Sequence, residues 1–420
     1  MQTKKYYCWF MLFCLFVIYM ASNGMVLNTF TQYTPELMKQ WQLDFKQASS
    51  FQSTIYLVLA LPLPFIGMYL QRGSPKLIML FGALGMAGSL FIFANAITIG
   101  AVRLFTIIFP ICLSVLGLLS CMYLINNWFS KYRGIATGIL LMGSSVGPAI
   151  FAPILGKWIA LYGWQQAAMY EAITCAALIV IPTLFIINHP SHVGTYADGI
   201  VGNMGNQPII DKVAASNTLR ATLKSTNFYL VIIVTAILWF CIGGLFVHQG
   251  LYLKGRNLNA VEAGNISGLF FLASLIGKLI FGYISDRYDV KKIMATSVAC
   301  MLVGCLLLWR SVHNPAFMLP YAIILGIGYS GTFTMIQLYV MHLYGGPAYG
   351  SILGILSFID TLSLALGGLI FGIMRKNSSD YSSSFLLMVV LTALSLLATI
   401  IINQRTKNTN KHIKNLAYAH

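Results

Sequence analysis

A chain of 420 residues that is 58% hydrophobic and only 9% charged, with mean hydropathy +0.77, is not a soluble globular domain, in which about a quarter of the residues are charged. Its 26 Lys and Arg against 10 Asp and Glu give a net charge of +16, yet the basic residues are spread over loops and no soluble domain is there to hold a polynucleotide. Nucleic-acid binding is therefore set aside. Apolar runs of about 20 residues, the length of a helix that crosses a hydrocarbon core, recur throughout and do not alternate as barrel strands do.

Twelve such runs are predicted, at approximately 7–30, 49–71, 77–97, 101–126, 134–160, 166–187, 226–250, 262–285, 292–311, 316–341, 350–373 and 382–403. Lys4 and Lys5 ahead of the first could imitate a signal peptide, but no small-residue cleavage site follows, so it is read as a membrane helix. The first run carries Ala21-Ser22-Asn23-Gly24 and Asn28. The second carries Gln52, Tyr56, Pro62 and Pro64 and runs out into Gly67-Met68-Tyr69-Leu70-Gln71-Arg72-Gly73-Ser74-Pro75-Lys76. In the fifth, Gly143, Gly147, Pro148 and Pro153 predict a hinge or a tight contact between two halves.

A polar stretch over 188–225, rich in Gly, Asn and Ser, is a linker. It divides the chain into a six-helix bundle over 1–187 and another over 226–403, followed by a basic tail over 404–420. The fold class is thus all-α membrane protein, twelve transmembrane helices in two six-helix pseudo-symmetric bundles related by an axis along the membrane normal. Gly134 and Gly138 opening the fifth run answer Gly350 and Gly354 opening the eleventh. If the N-terminus is inside, Lys and Arg are in excess on the inner loops, which predicts both termini in the cytoplasm of a bacterial inner-membrane protein. The eight cysteines all fall in apolar runs without metal-ligand spacing, so neither metal nor cofactor is expected.

The loop Gly282-Tyr283-Ile284-Ser285-Asp286-Arg287-Tyr288-Asp289-Val290-Lys291-Lys292 resembles the signature between the second and third helices of each half of the major facilitator superfamily. The Gly67–Lys76 loop is its degenerate twin, with Gln71 in place of the acid. A second string, Asn127-Trp128-Phe129-Ser130-Lys131-Tyr132-Arg133-Gly134-Ile135-Ala136-Thr137-Gly138 followed by Gly143-Ser144-Ser145-Val146-Gly147-Pro148, resembles the monocarboxylate porter and oxalate:formate antiporter branch. His248, Ala263 and Gly277-Lys278-Leu279-Ile280-Phe281-Gly282 support it. Relatives often place arginine where Lys278 stands, Ser274 replaces an acid, and the acidic signature of the first helix is absent. The resemblance implies alternating-access transport of a small organic anion, a monocarboxylate or dicarboxylate, by proton symport or anion exchange.

Among the ionisable groups, Glu171, Lys278 and Asp360 fall well inside apolar runs, where a charge costs roughly 2.5–3.5 kcal/mol on insertion scales. Lys278 lies about 12 Å from the end of its helix at 1.5 Å per residue, near mid-membrane, where a cation would attract a carboxylate. Asp360 is the candidate proton carrier and could pair with Lys278, or the two could form a permanent structural bridge. His248 could admit a proton or serve as a packing residue. Asn23, Asn28, Gln52, Tyr56 and Gln337 are candidate substrate-orienting groups, and Asp286, Arg287, Arg72 and Arg133 candidate gating groups, which otherwise only fix topology. Glu171, about one turn into the sixth run, is read as structural and within reach of the outer interface.

The expected partners are a small carboxylate substrate and membrane lipid, with no nucleic acid, in a monomer. Alternatives are a carrier of amino acids, nucleosides, siderophores or drugs, and, behind these, a membrane-embedded sensor or enzyme. No nucleophile elbow, metal pair or ATP motif supports an enzyme.

Overall fold

The computed structural model of the chain describes residues 6–43, 45–199, 219–254, 256, 260–346, 348–376, 378 and 380–417. Among them the long elements are all helical, as lipid demands of a backbone that has no water to bond to. Twelve helices are long and apolar enough to cross a membrane: α1 (Tyr7–Gln32), α2 (Ser50–Arg72), α3 (Pro75–Ala94), α4 (Ile99–Trp128), α5 (Arg133–Tyr162), α6 (Trp164–Leu184), α7 (Thr226–Gln249), α8 (Asn265–Ser285), α9 (Val290–Ser311), α10 (Pro315–Tyr344), α11 (Tyr349–Lys376) and α12 (Ser382–Gln404). All twelve predicted segments are present, displaced by only a few residues at their ends. Part of the predicted linker, 200–218, and the last three residues of the tail lie outside the described residues.

Short polar caps set the turns. Ser74 Oγ accepts from the Leu77 N–H at 3.4 Å, with Pro75 opening α3, and Asp289 Oδ1 accepts from the Lys291 N–H at 2.9 Å to start α9. Asp380 Oδ1 does the same for α12, accepting from the Ser382 N–H at 2.9 Å. Between α5 and α6 the chain turns at Gly163, whose φ of +79° favours glycine.

Several spans are interrupted. α1 is an α-helix over Tyr7–Tyr19, a π-helix over Met20–Leu27 and a 3-10 turn over Phe30–Gln32. In α2 the regular helix stops at Ala60 and resumes at Leu63, around Pro62 and Pro64. α4 breaks at Gly117. α5, by contrast, runs unbroken through Pro148 and Pro153.

The helices form two compact units, Met1–Asn217 with Leu343–Leu362, and Thr218–His342 with Ser363–His420. In the first, α1 crosses α5 backbone to backbone. A methyl on Gly24 would lie 2.6 Å from the Gly143 carbonyl oxygen and 2.8 Å from the Gly147 Cα. Gly143 and Gly147 of the glycine-proline cluster of α5 thus lie against the π-helical part of α1, inside one unit. In the second unit α7 and α11 meet in the same way, Gly243 on Leu364 and Gly367 on Phe240, each through a carbonyl oxygen. Glycine at these crossings lets backbones approach where any side chain would hold them apart.

Candidate substrate site and gating loops

Lys278 is carried by α8 and is 1% exposed. Its ammonium lies 5.7 Å from the centroid of the Phe333 ring on α10. The approach is possible because Gly277 presses α8 onto α10, where a methyl would meet the Ile327 carbonyl oxygen at 2.9 Å. Phe333 is itself held edge-on by Trp239 of α7 at 5.2 Å and stacked with Tyr329 at 6.2 Å. Tyr329 continues into Phe270 and Phe246. An aromatic face can hold a desolvated cation through its quadrupole without neutralising it. With so little exposure, an anion reaches this ammonium only when a neighbouring side chain moves.

Gln337 is buried one turn beyond Phe333 on α10, so it shares the face of the ring that meets Lys278. Ser274, one turn before Lys278, is buried with its hydroxyl unbonded among the described residues. These lie in the second unit. Asp360 is buried in the part of α11 that belongs to the first unit.

His248 of α7 bridges to α11. Its Nε2 is 2.9 Å from the Gly368 carbonyl oxygen, and a carbonyl only accepts, so Nε2 carries hydrogen. Nδ1 is 3.3 Å from the Tyr381 hydroxyl. Both ring nitrogens are therefore engaged within the second unit.

In the first unit, Asn23 lies in the π-helical part of α1, its amide on Ser22 Oγ at 3.2 Å, and Asn28 donates to the Ser144 carbonyl of α5 at 3.1 Å. Gln52 and Tyr56 interact one turn apart on α2, and Gln52 Oε1 is buried without a hydrogen bond among the described residues.

Of the gating candidates, Arg287 stacks over the Tyr283 ring at 4.3 Å, and the cap of the next helix comes from Asp289. Arg133 donates from Nε to the Phe129 carbonyl at 2.6 Å and from Nη2 to the Asn126 carbonyl at 3.3 Å. Arg72 is exposed at the end of α2.

Two acids were underestimated from the sequence. Glu171 lies two turns into α6 and is 2% exposed. Tyr33 donates its phenol hydrogen to Oε2 at 2.7 Å, and Thr29 Oγ1 is 3.3 Å from Oε1. Burial, then the Glu171 carboxylate beside it, holds the Tyr33 phenol well above its ordinary value, so it stays a donor. Thr29 and Tyr33, spaced four apart at the polar end of an apolar run, were the available signal.

Asp198, in the linker, takes the backbone N–H groups of Ser130, Lys131 and Tyr132 at 3.2, 2.7 and 3.3 Å. These are the residues leading into α5. The linker start is also stitched down by Asn188, which accepts from the Lys76 N–H at 2.9 Å and donates to Ser74 Oγ at 2.9 Å, and by Trp128, which donates to the Ile187 carbonyl at 2.9 Å.

Twelve apolar helices locked at glycine crossings, with a buried lysine in one of them, define a multi-pass membrane protein. The sequence profile of the Major Facilitator Superfamily matches residues 11–266 and 255–416, and the chain belongs to that family. It is 23% identical to the uncharacterized MFS-type transporter YcxA of Bacillus subtilis, over 98% of this chain and 100% of that one. It is 23% identical to a phosphoglycerate transporter protein of Salmonella typhimurium, over 90% and 85%, and 22% identical to human monocarboxylate transporter 12, over 63% and 55%. Among solved structures, the MFS transporter FucP in its outward conformation superposes with a TM-score of 0.70 at 14% identity, over 93% of this chain and 97% of that one. That likeness concerns the fold.

Proposed function

We propose that this transporter is a secondary carrier of a small organic anion, a monocarboxylate or dicarboxylate, working by alternating access and coupled to protons or to a counter-anion. The observation that carries the reading is the Lys278 ammonium, buried in mid-span beside Phe333. A lysine at that depth marks a water-lined pathway or a buried partner, and a cargo carboxylate matches its charge. Two relatives are named for anionic cargo, phosphoglycerate and monocarboxylate, which agrees with a cation as recognition group. The excess of Lys and Arg on loops of one side supports cytoplasmic termini, in a bacterial inner membrane. Asp360 and Gln337 are candidates for the same chemistry, as coupling acid and as orienting amide.

The test is uptake of a panel of labelled carboxylates, amino acids and nucleosides into proteoliposomes, with and without a pH gradient. Carboxylates are taken up by the wild type, and uptake is lost in Lys278→Gln and partly retained in Lys278→Arg. Carboxylate uptake undiminished in a folded Lys278→Gln protein removes the proposed recognition group.

A further inference from the structure

The hydrogen inventory around Glu171 points to a second chemical site, in the first unit. Thr29 Oγ1 is within hydrogen-bond distance of two acceptors, the Met25 carbonyl oxygen and Glu171 Oε1. A threonine hydroxyl owns one hydrogen. When that hydrogen serves Met25, the contact with Oε1 is a bond only if the carboxyl carries a proton and donates it to Thr29. When the carboxyl is ionised, the Thr29 hydroxyl must turn to Oε1 and the Met25 carbonyl is released. The charge on Glu171 is thus read out at Met25, inside the π-helical part of α1, next to the residue where Gly24 lies against Gly143 and Gly147. Isolated π-helical turns are uncommon and sit frequently at functional positions.

Among the described residues no other charge settles the matter. From α1 the groups facing Glu171 are Thr29 and Tyr33, and on α6 itself Cys175 is one turn on. From α3 comes the Phe93 ring, packed on Tyr33 and Trp164; the only charged side chain of α3, Lys76, donates to the Leu184 carbonyl at the far end of α6. α5 carries Arg133 at its opposite end and Lys157, which is exposed, as is Arg103 of α4. On the short helix Thr34–Trp41, Glu36 is partly exposed and Lys39 exposed. An acid 2% exposed, bonded by hydroxyls and facing no cation among the described residues, can be neutral or charged according to the proton alone.

We propose that Glu171 is the site that binds the transported proton, and that the Thr29 hydroxyl passes its charge state to the π-helical part of α1. This rests on the reading of the protein as a proton-coupled anion carrier, and it makes Glu171, not Asp360, the coupling acid.

Two measurements test it separately from that reading. Infrared difference spectra of the substrate-free protein in bilayers, taken between acid and alkaline pH, show a carboxylic C=O band that disappears in Glu171→Gln, an amide of nearly the same shape. Its midpoint moves upward in Tyr33→Phe, which removes a donor to the ionised form. In proteoliposomes, Glu171→Gln and Thr29→Val lose accumulation driven by a pH gradient, whereas cargo-for-cargo exchange, which requires no proton release, persists. A band unchanged in Glu171→Gln, or gradient-driven accumulation intact in that variant and lost in Asp360→Asn, overturns the proposal. If the wild type moves no carboxylate at all, the anion-carrier reading fails while the infrared result still decides whether Glu171 takes up the proton.

Discussion

Gly67 of α2 and Gly350 of α11 touch through their backbones: a methyl on Gly350 would stand 2.7 Å from the Gly67 carbonyl oxygen. One turn on, a methyl on Gly354 would stand 2.6 Å from the Leu63 carbonyl oxygen. The glycines that the sequence marks, one before the degenerate loop and two opening the eleventh span, are thus partners in one crossing.

The proposed alternating access requires spans to part and rejoin, so a crossing this tight is expected to be intolerant of bulk. Gly350→Val should force α2 and α11 apart, at about 1–3 kcal/mol of overpacking, and depress uptake while the protein still inserts. Proteoliposome flux alongside size-exclusion chromatography in detergent checks this. Full flux from a monodisperse Gly350→Val protein would mean that the crossing is not needed in the cycle.

Asp198 satisfies three successive backbone donors ahead of α5, a job done in most helices by a residue of the same turn. Hydrogen bonds to a charged group contribute about 1.5–3 kcal/mol each at most, and the set is partly exposed, so a loss of about 1–2 kcal/mol is expected for Asp198→Ala. Asp198→Asn should recover part of it, since an amide oxygen still accepts and asparagine tolerates the φ of +61° found there. The apparent melting temperature in detergent should fall in the order wild type, Asn, Ala.

The ring of Phe333 over the Lys278 ammonium is a pairwise interaction and can be measured as one. A cycle built from Phe333→Leu, Lys278→Met and the double variant should show a coupling of about 0.5–2 kcal/mol in stability, the range of partly to fully desolvated cation–π pairs. Additive changes would show that the ring merely fills space.

The spans were legible because the bilayer imposes both length and apolarity on every one of them, so composition alone marks their number and nearly their ends. The loop signatures and the crossing glycines were legible for a related reason: a turn or a close approach demands a particular residue. What the sequence hides is helix rotation and partners far apart in the chain. Tyr33 and Glu171 are separated by 138 positions, and Asp198 lies 67 positions from Lys131, so neither bond leaves a local trace. The burial of Lys278 could be foreseen from its flanking residues; the Phe333 ring beside it could not. The use of the α5 glycines within one unit was likewise unreadable, since spacing shows that a helix surface is small but not which helix covers it.

His248 separates a packing role from a proton-relaying one. Its Nε2 hydrogen is committed to the Gly368 carbonyl, and Nδ1 in the neutral ring accepts from the Tyr381 hydroxyl, so gaining a proton requires that hydroxyl to turn round. His248→Ala should leave a buried carbonyl unpaired and cost about 1–3 kcal/mol, lowering the melting temperature. His248→Gln, which still presents an N–H donor on a flexible stem, should recover part of that stability and leave the pH profile of transport where it was. A profile displaced in His248→Gln, with stability preserved, would instead place the imidazole on the proton's route.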